Sequence, residues 1–241
     1  MANGRGRRTG PPLARARVSS RSVGTGDTLR GEDLALLEQH GRPRRYPRGS
    51  LLFAEGDEAH EVLLVRSGAV KIVVTFASGR EVVLDVLEAG QLIGELAAID
   101  GGVRSASGLA LGPVEVVAVG RGTFCGLLDA HPSLTRGLLL LLASRLRGAA
   151  RRQLEFGGSD SLGRVCRRLV ELETRYGSAG SDGRTVVQVP VSQQDLAAWA
   201  GLSREAVVKG LRALRNLGWV ESDGRRVVIV DGRAVADRAL V

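Results

Sequence analysis

Two groups of residues in this 241-residue chain have the types and spacing that recognition chemistry needs. The first is Gly94-Glu95-Leu96-Ala97 followed by Arg104-Ser105-Ala106. A glycine at a short helical turn exposes backbone N–H groups to an anion, as phosphate cradles require. The Glu95 carboxylate can accept a hydrogen bond from a sugar hydroxyl. The Arg104 guanidinium can pair with a phosphate, and Ser105 can donate to it. Such a spacing is common in loops, and pairing of Arg104 with a loop carboxylate such as Asp100 stays open. The second group begins at Ser192-Gln193-Gln194-Asp195, a capping-box pattern ahead of Leu196-Ala197-Ala198-Trp199. Ala200-Gly201-Leu202 follows as a turn containing glycine. Ser203 then caps a helix predicted over 204–216, with Val207, Leu211 and Leu214 inward and Glu205, Lys209 and Arg212 outward. Arginine can pair bidentately with guanine, and glutamate can accept from cytosine N4. That makes Arg204, Glu205 and Lys209 candidate base readers. Ser192, Gln194 and Ser203 lie near helix starts, where hydroxyls, amides and backbone N–H groups can hold phosphates. A helical pair that merely packs is the bland alternative.

The elements that must position these groups follow from hydrophobic period. Short strands rich in Val, Ile and Leu are predicted at 51–54, 61–66, 70–76, 81–87 and 109–119, the last broken by Gly112-Pro113. Glycine turns separate them, which is the pattern of an antiparallel sandwich or small barrel. From Pro132 the period becomes helical. Leu134, Leu138, Leu141, Leu142, Leu146 and Ala149 form a stripe on a long helix extending to Phe156. Leu138, Leu141, Leu142 and Leu146 have no evident partner within the strand-rich part, so they are the expected dimer interface. Gly157-Gly158-Ser159 should break this helix and act as a hinge. Another helix is expected over 161–176, then a flexible loop over 177–183 and a strand over 185–189. After the 204–216 helix, Trp219–Glu221 and Arg226–Val230 around Asp223-Gly224 read as a two-stranded wing.

Composition narrows the class. Residues 1–30 carry a net +6, residues 31–131 a net −5 and residues 132–241 a net +7. An acidic middle therefore joins a basic half that can approach a polyanion. The first 30 residues hold few large apolar side chains and are expected to be a disordered basic tail. The start, MANGRGRRTG, has no apolar stretch behind its arginines and is not expected to be a secretory signal. The strongly apolar run 138–143 is far shorter than the ~20 residues a membrane span needs. Two cysteines, Cys125 and Cys166, cannot supply a disulfide framework or an iron–sulfur site and suit a reducing cytoplasm. His40, His60 and His131 are scattered, so no metal site is expected. No Ser/His/Asp or Cys/His arrangement suggests an enzyme. Trp199 and Trp219 are expected in the core.

Taken together, strand-rich half, cassette and helix-turn-helix resemble the CRP/FNR family of bacterial transcription regulators over roughly residues 32–232. The resemblance implies an α+β fold: an antiparallel β-roll of the double-stranded β-helix type over 31–131, a dimerisation helix over 132–156 and a C-terminal winged helix-turn-helix within 157–241. It implies that Glu95 would hold a ribose 2′-hydroxyl, and that Arg104 and Ser105 would hold the phosphate of a cyclic nucleotide such as cyclic AMP. Gly94, Leu96, Ala97 and Ala106 complete the cassette. Glycines 56, 68, 79 and 90 look like roll-corner glycines. Implied partners are a pseudo-palindromic double-stranded DNA operator, a second copy of the chain and RNA polymerase, with no membrane. Departures from the family pattern are specific: Arg145-Leu146 is followed by Gly148-Ala149-Ala150, which offers no hydroxyl to a purine, and Lys209 stands where arginine is common. A ligand-free structural roll, and a nucleotide-binding module acting on a protein partner, are the alternatives.

Overall fold

A strand with large apolar residues at consecutive positions has no polar face to give to water, and this chain has several. The computed structural model describes residues 29–158, 160–179, 184–187, 192–223 and 226–240. In chain order the elements are α1 (Gly31–His40), β1 (Arg42–Tyr46), β2 (Leu51–Phe53), β3 (Glu61–Ser67), β4 (Ala69–Thr75), β5 (Glu81–Glu88), β6 (Leu92–Ile93), α2 (Glu95–Asp100), β7 (Ser107–Ala110), β8 (Val114–Gly120) and α3 (Arg121–Ala130). They continue with α4 (Pro132–Gly158), α5 (Ser161–Tyr176), β9 (Gly177–Ala179), β10 (Thr185–Val187), α6 (Gln193–Ala200), α7 (Arg204–Asn216), β11 (Val220–Asp223), β12 (Arg226–Ile229) and α8 (Gly232–Ala239).

Two four-stranded antiparallel sheets, ordered β1-β8-β3-β6 and β2-β7-β4-β5, form the roll. Their facing sides share one core of Leu63, Val65, Val70, Leu87, Ile93, Ala110, Val114, Val116 and Ala118. Because side chains alternate along a strand, Val62, Leu64, Val117 and Val119 face the other way. There Leu37 of α1, Phe124 and Leu127 of α3, and Leu134, Leu138 and Leu141 of α4 cover them. The second sheet is covered too. Ala69, Val73, Val83 and Val86 belong to a cluster that continues into Trp199, Leu196, Val165 and Leu169 of the C-terminal half. The inner strands β3, β4 and β8 are therefore covered on both faces, which is why they read as continuous apolar runs.

The corner glycines Gly56, Gly68, Gly79 and Gly90 all have positive φ, as the turns between these strands need. At Gly68 (φ +83°) space is also short, because a Cβ there would lie 2.3 Å from the Pro113 carbonyl oxygen. The C-terminal half carries its own antiparallel sheet, β11-β12-β10-β9, beneath α5, α6, α7 and α8.

Several expectations change. Strand β1 (Arg-Pro-Arg-Arg-Tyr) looks like a loop in sequence. It forms because it is an edge strand pairing only with β8, where proline and exposed charge are tolerated. Helix α3 carries two glycines that mask its period, yet Phe124 anchors it at 0% exposure. Helix α8 is likewise absent from the sequence-based expectation. Helix α4 runs through Gly157 to Gly158 rather than breaking at 157, and Ser159 of the expected hinge lies outside the described residues. Residues 177–179, expected in a loop, pair as β9, while 180–183, 188–189 and Gly224 of the expected wing turn lie outside the described residues. So does the expected tail, apart from Leu29 and Arg30.

The stripe assigned to a dimer needs correction. Leu138 and Leu141 are 4% and 1% exposed, packed into the protomer's own roll, because sheet β1-β8-β3-β6 needs an apolar lid. Leu142 is partly buried against the same cluster. Of the four, Leu146 alone stands clear at 72% exposure, and Leu139 and Leu140 of the neighbouring face are at 63% and 54%. Leu141→Ala should therefore destabilise the protomer by about 2–5 kcal/mol in a denaturant melt. A loss below ~1 kcal/mol would contradict the packing of α4 on its own roll.

Candidate functional sites

The cassette is built around one glycine. Gly94, at φ +79°, is the N-cap of α2, and its missing side chain leaves room for the Arg104 guanidinium. A Cβ on Gly94 would lie 1.8 Å from Arg104 Nη1. Arg104 Nη1 donates to the Gly94 carbonyl oxygen at 2.9 Å, and Nη2 donates to the Glu61 carbonyl oxygen at 2.6 Å. Its guanidinium lies 4.5 Å from the centre of the Phe53 ring, a cation–π distance. Arg104 is 4% exposed and its Nε, fully buried, has no partner. Burial holds its pKa below the usual value, against the opposing pull of Glu61, Glu95 and Asp57. Asp100 does not pair with it. That carboxylate accepts instead from the Gly102 N–H at 2.8 Å.

Glu95 is 3% exposed and has a charged partner that no sequence pattern reveals. Arg145 of α4 donates from Nη1 to Glu95 Oε1 at 2.6 Å and from Nη2 to the Leu92 carbonyl oxygen at 2.7 Å. The long helix thus grips the cassette at its carboxylate. In the sequence Arg145 is only a landmark, because no local pattern relates it to a residue fifty positions earlier. Gly94, Glu95 and Arg104 come together, with Ala97 and Ala106 buried behind them at 4% and 5% exposure. Leu96, at 49%, and Ser105 instead face outward.

In the C-terminal half the capping box is present in full. Asp195 N–H donates to Ser192 Oγ at 3.0 Å, and Ser192 N–H donates to Asp195 Oδ2 at 3.1 Å. The Ser192 hydroxyl also donates to Asp195 Oδ2 at 2.6 Å, so it is committed to the cap. Gly201 (φ +63°) ends α6, and Ser203 Oγ accepts from the Ala206 N–H to start α7. Val207, Leu211 and Leu214 are buried, while Arg204, Glu205, Val208, Lys209 and Arg212 border an open depression of about 350 Å³. Hydrogen bonds from its own N–H and from Ser203, with Arg204 nearby, hold the Glu205 carboxyl below its usual pKa. The face therefore carries a carboxylate among three cations at neutral pH. Gln194 is exposed at the first turn of α6. Trp199 is buried at 4% with Arg168 over its ring, and Trp219 packs against the same cluster, as expected. Cys166 is buried and its thiol is pushed up to about 11 by burial, so it is inert. Among the described residues no group of His, Cys, Asp or Glu could hold a metal ion.

A roll with an anion-suited cassette, a long helix and a winged helix-turn-helix define a DNA-binding regulator with a sensory domain. Sequence comparison agrees. The cyclic nucleotide-binding domain profile matches residues 43–131, and the Crp-like helix-turn-helix profile matches residues 163–238. The chain is 32% identical to the CRP-like cAMP-activated global transcriptional regulator of Mycobacterium tuberculosis, over 86% of this chain and 92% of that one. It is 33% identical to the cyclic AMP receptor protein of Thermus thermophilus, over 80% of this chain and 85% of that one. Among solved structures, the c-di-GMP responsive global regulator CLP of Xanthomonas campestris superposes with a TM-score of 0.71 at 26% identity, covering 82% of this chain and 98% of that one. The chain belongs to the CRP/FNR family of transcription regulators and is a DNA-binding regulator that senses an effector.

Gly94→Ala should displace Arg104 from its two carbonyls and also strain a left-handed backbone. Gly56, at φ +86° with open space where a Cβ would stand, is the matched control. Gly94→Ala is expected to cost about 1.5–3 kcal/mol more than Gly56→Ala in urea melts, the worth of charged hydrogen bonds. Equal costs would mean that Arg104 leaves its seat freely.

Proposed function

We propose that this chain is a homodimeric, operator-specific transcription regulator whose effector is a cyclic nucleotide held by the cassette. The observation that carries the reading is the Glu95–Arg145 pair, which ties the sugar-binding carboxylate to the helix leading into the DNA-binding half. A ribose hydroxyl donating to Glu95 competes with Arg145 for that carboxylate. A cyclic phosphate offers Arg104 a charged acceptor in place of two neutral carbonyls, and charge-assisted bonds are the stronger. The unpartnered Arg104 Nε is a further donor for it. Gly94, Leu96, Ala97, Ser105 and Ala106 frame the phosphate, with exposed Ser105 as a hydroxyl donor. The exchange at Glu95 acts on α4 through Arg145, so effector binding biases the placement of the reading heads. The names of the Mycobacterium and Thermus relatives make cyclic AMP the first nucleotide to test. Ala149 and Ala150 offer no hydroxyl to a base, so binding should rest on sugar and phosphate and discriminate weakly among purines.

In this reading Arg204, Glu205 and Lys209 contact base edges, while Gln194 and Ser203, together with the backbone N–H groups around Ser192, approach phosphates. RNA polymerase is the downstream partner, the setting is the cytoplasm, and no residue has a catalytic task. Among the described residues no helix is long and apolar enough to cross a membrane. The second protomer covers Leu139, Leu140 and Leu146, which the roll leaves exposed, with Leu142 at the margin.

Calorimetric titration of wild type and Arg104→Leu with cyclic AMP and cyclic GMP tests the effector. Wild type should bind both, and the folded variant neither. Equal binding by the variant would remove the cassette assignment, and no binding by wild type would end the cyclic-nucleotide reading while the DNA-binding role stands. Leu146→Glu should give a monomer by light scattering; an unchanged mass would exclude this helix face. Arg204→Ala should weaken operator binding by about 1–3 kcal/mol and relax preference at one symmetric base pair. A uniform loss across all sequences would make Arg204 a phosphate contact.

A further inference from the structure

The outward face of α7 carries one side chain that hydrogen bonding cannot use. Arg204, Glu205, Lys209 and Arg212 are charged, and Val208 stands among them at 39% exposure, bordering the same depression. The helix is fixed in phase from its other side. Val207, Gly210, Leu211 and Leu214 are buried, and Gly210 sits so close to α5 that a Cβ there would lie 3.3 Å from Val165 Cγ2. Val208 cannot turn inward without expelling them. Residues 204, 208 and 212 are spaced by four, so they form one row along the helix, with Glu205 and Lys209 in the next. Val208 is therefore the middle of its row, with an arginine one turn away on either side.

Local preference does not account for a valine there. An exposed helical position favours alanine, lysine or glutamate, because a β-branched side chain loses rotamer freedom against the preceding turn. The same loss has a use in recognition. A valine in a helix holds essentially one χ1 rotamer, so its two methyl groups are presented with little entropy left to lose on contact.

The chemistry it would meet follows from the edges of the bases. In the major groove guanine offers acceptors, cytosine a donor and adenine one of each, whereas thymine adds an apolar group, its C5 methyl. Pressed on an amino group or a carbonyl, valine would displace water and return no hydrogen bond, which costs free energy. Pressed on the thymine methyl, it buries apolar surface on both sides. We propose that Val208 is a thymine reader, selecting a T·A pair beside the one that Arg204 reads, by contact with the C5 methyl. The inference rests on the reading of base edges by α7 proposed above. Cβ atoms one helical turn apart are ~5–6 Å apart and base pairs follow every ~3.4 Å, so the two pairs are one or two steps from each other. In a two-fold operator that thymine recurs once in each half-site.

The test uses full-length protein with cyclic AMP present, and the consensus duplex that wild type enriches from a randomised library, read by fluorescence anisotropy. Each symmetric pair of thymines is replaced in turn by deoxyuridine, which lacks only the C5 methyl. At one pair wild type should lose about fourfold per half-site, up to about fifteenfold for both, the worth of burying a single methyl group. Val208→Ala should bind the thymine and deoxyuridine duplexes equally at that pair, and its own enriched library should lose the preference there. Alanine is the better helix former at this exposed position, so a urea melt should show no loss of stability. A consensus with no thymine within two steps of the pair that Arg204→Ala relaxes overturns the contact, as does wild-type binding that no deoxyuridine exchange weakens. So does a Val208→Ala protein that stays as sensitive as wild type, because the methyl then acts through duplex shape or another side chain. In each of these cases a base pair relaxed by Arg204→Ala leaves the reading by α7 standing. A wild type that enriches no consensus ends that reading and the thymine contact with it.

Discussion

The structure depends on one constraint: each sheet of the roll is apolar on both faces, and only one of those faces can look into the roll. Leu63 and Val65 point into the inner core, so Val62 and Leu64 on the same strand must be covered from outside. On sheet β1-β8-β3-β6 helices α1, α3 and α4 provide the cover. On sheet β2-β7-β4-β5 the DNA-binding half provides it. The rest of the architecture answers this demand. The long helix is anchored by Leu134, Leu138 and Leu141 as a lid before it can be a dimer contact, and the helix-turn-helix is a lid before it can be a reader.

The buried charges follow the same logic. Ion pairs cost desolvation, so they persist where further hydrogen bonds satisfy the remaining donors and acceptors. Arg145 meets Glu95 and a backbone carbonyl together, and Arg175 meets Asp85 and a carbonyl in the same manner. Both arginines bridge separate elements, one from helix to cassette and one from the DNA-binding half to the roll. Each bridge lies at a point where a ligand or a movement would be felt elsewhere. In α8, Arg238 pairs with Asp160, the N-cap of α5, which ties the start of α5 to the last helix of the same half.

Recognition of DNA, by contrast, is organised locally. The α6–turn–α7 unit is specified by two capping serines, one left-handed glycine and a 3.6-residue period, all within 25 residues. Its outward face is exposed and its inward face joins the shared core, so which side chains it presents outward is an outcome of helix phase alone.

The sequence by itself determined what depends on neighbours along the chain. The span of α7, the capping box at Ser192 and Asp195 and the glycine turns between the strands were legible, because caps, turns and periods are short-range physics, whereas the Gly94–Arg104 cassette entered through the family resemblance. It also carried the family resemblance that profile matches to both halves support. Tertiary structure alone decided which face of α4 is free, since a leucine stripe is apolar whether its own roll or a second chain covers it. It decided that Arg104 rests on carbonyls rather than on Asp100, that Glu95 is paired with Arg145, and that Lys71 reaches Asp195 across more than a hundred residues. These contacts join residues whose distance in sequence bears no relation to their distance in space. Their energies come from burial, which is fixed only when the sheets have found their covers.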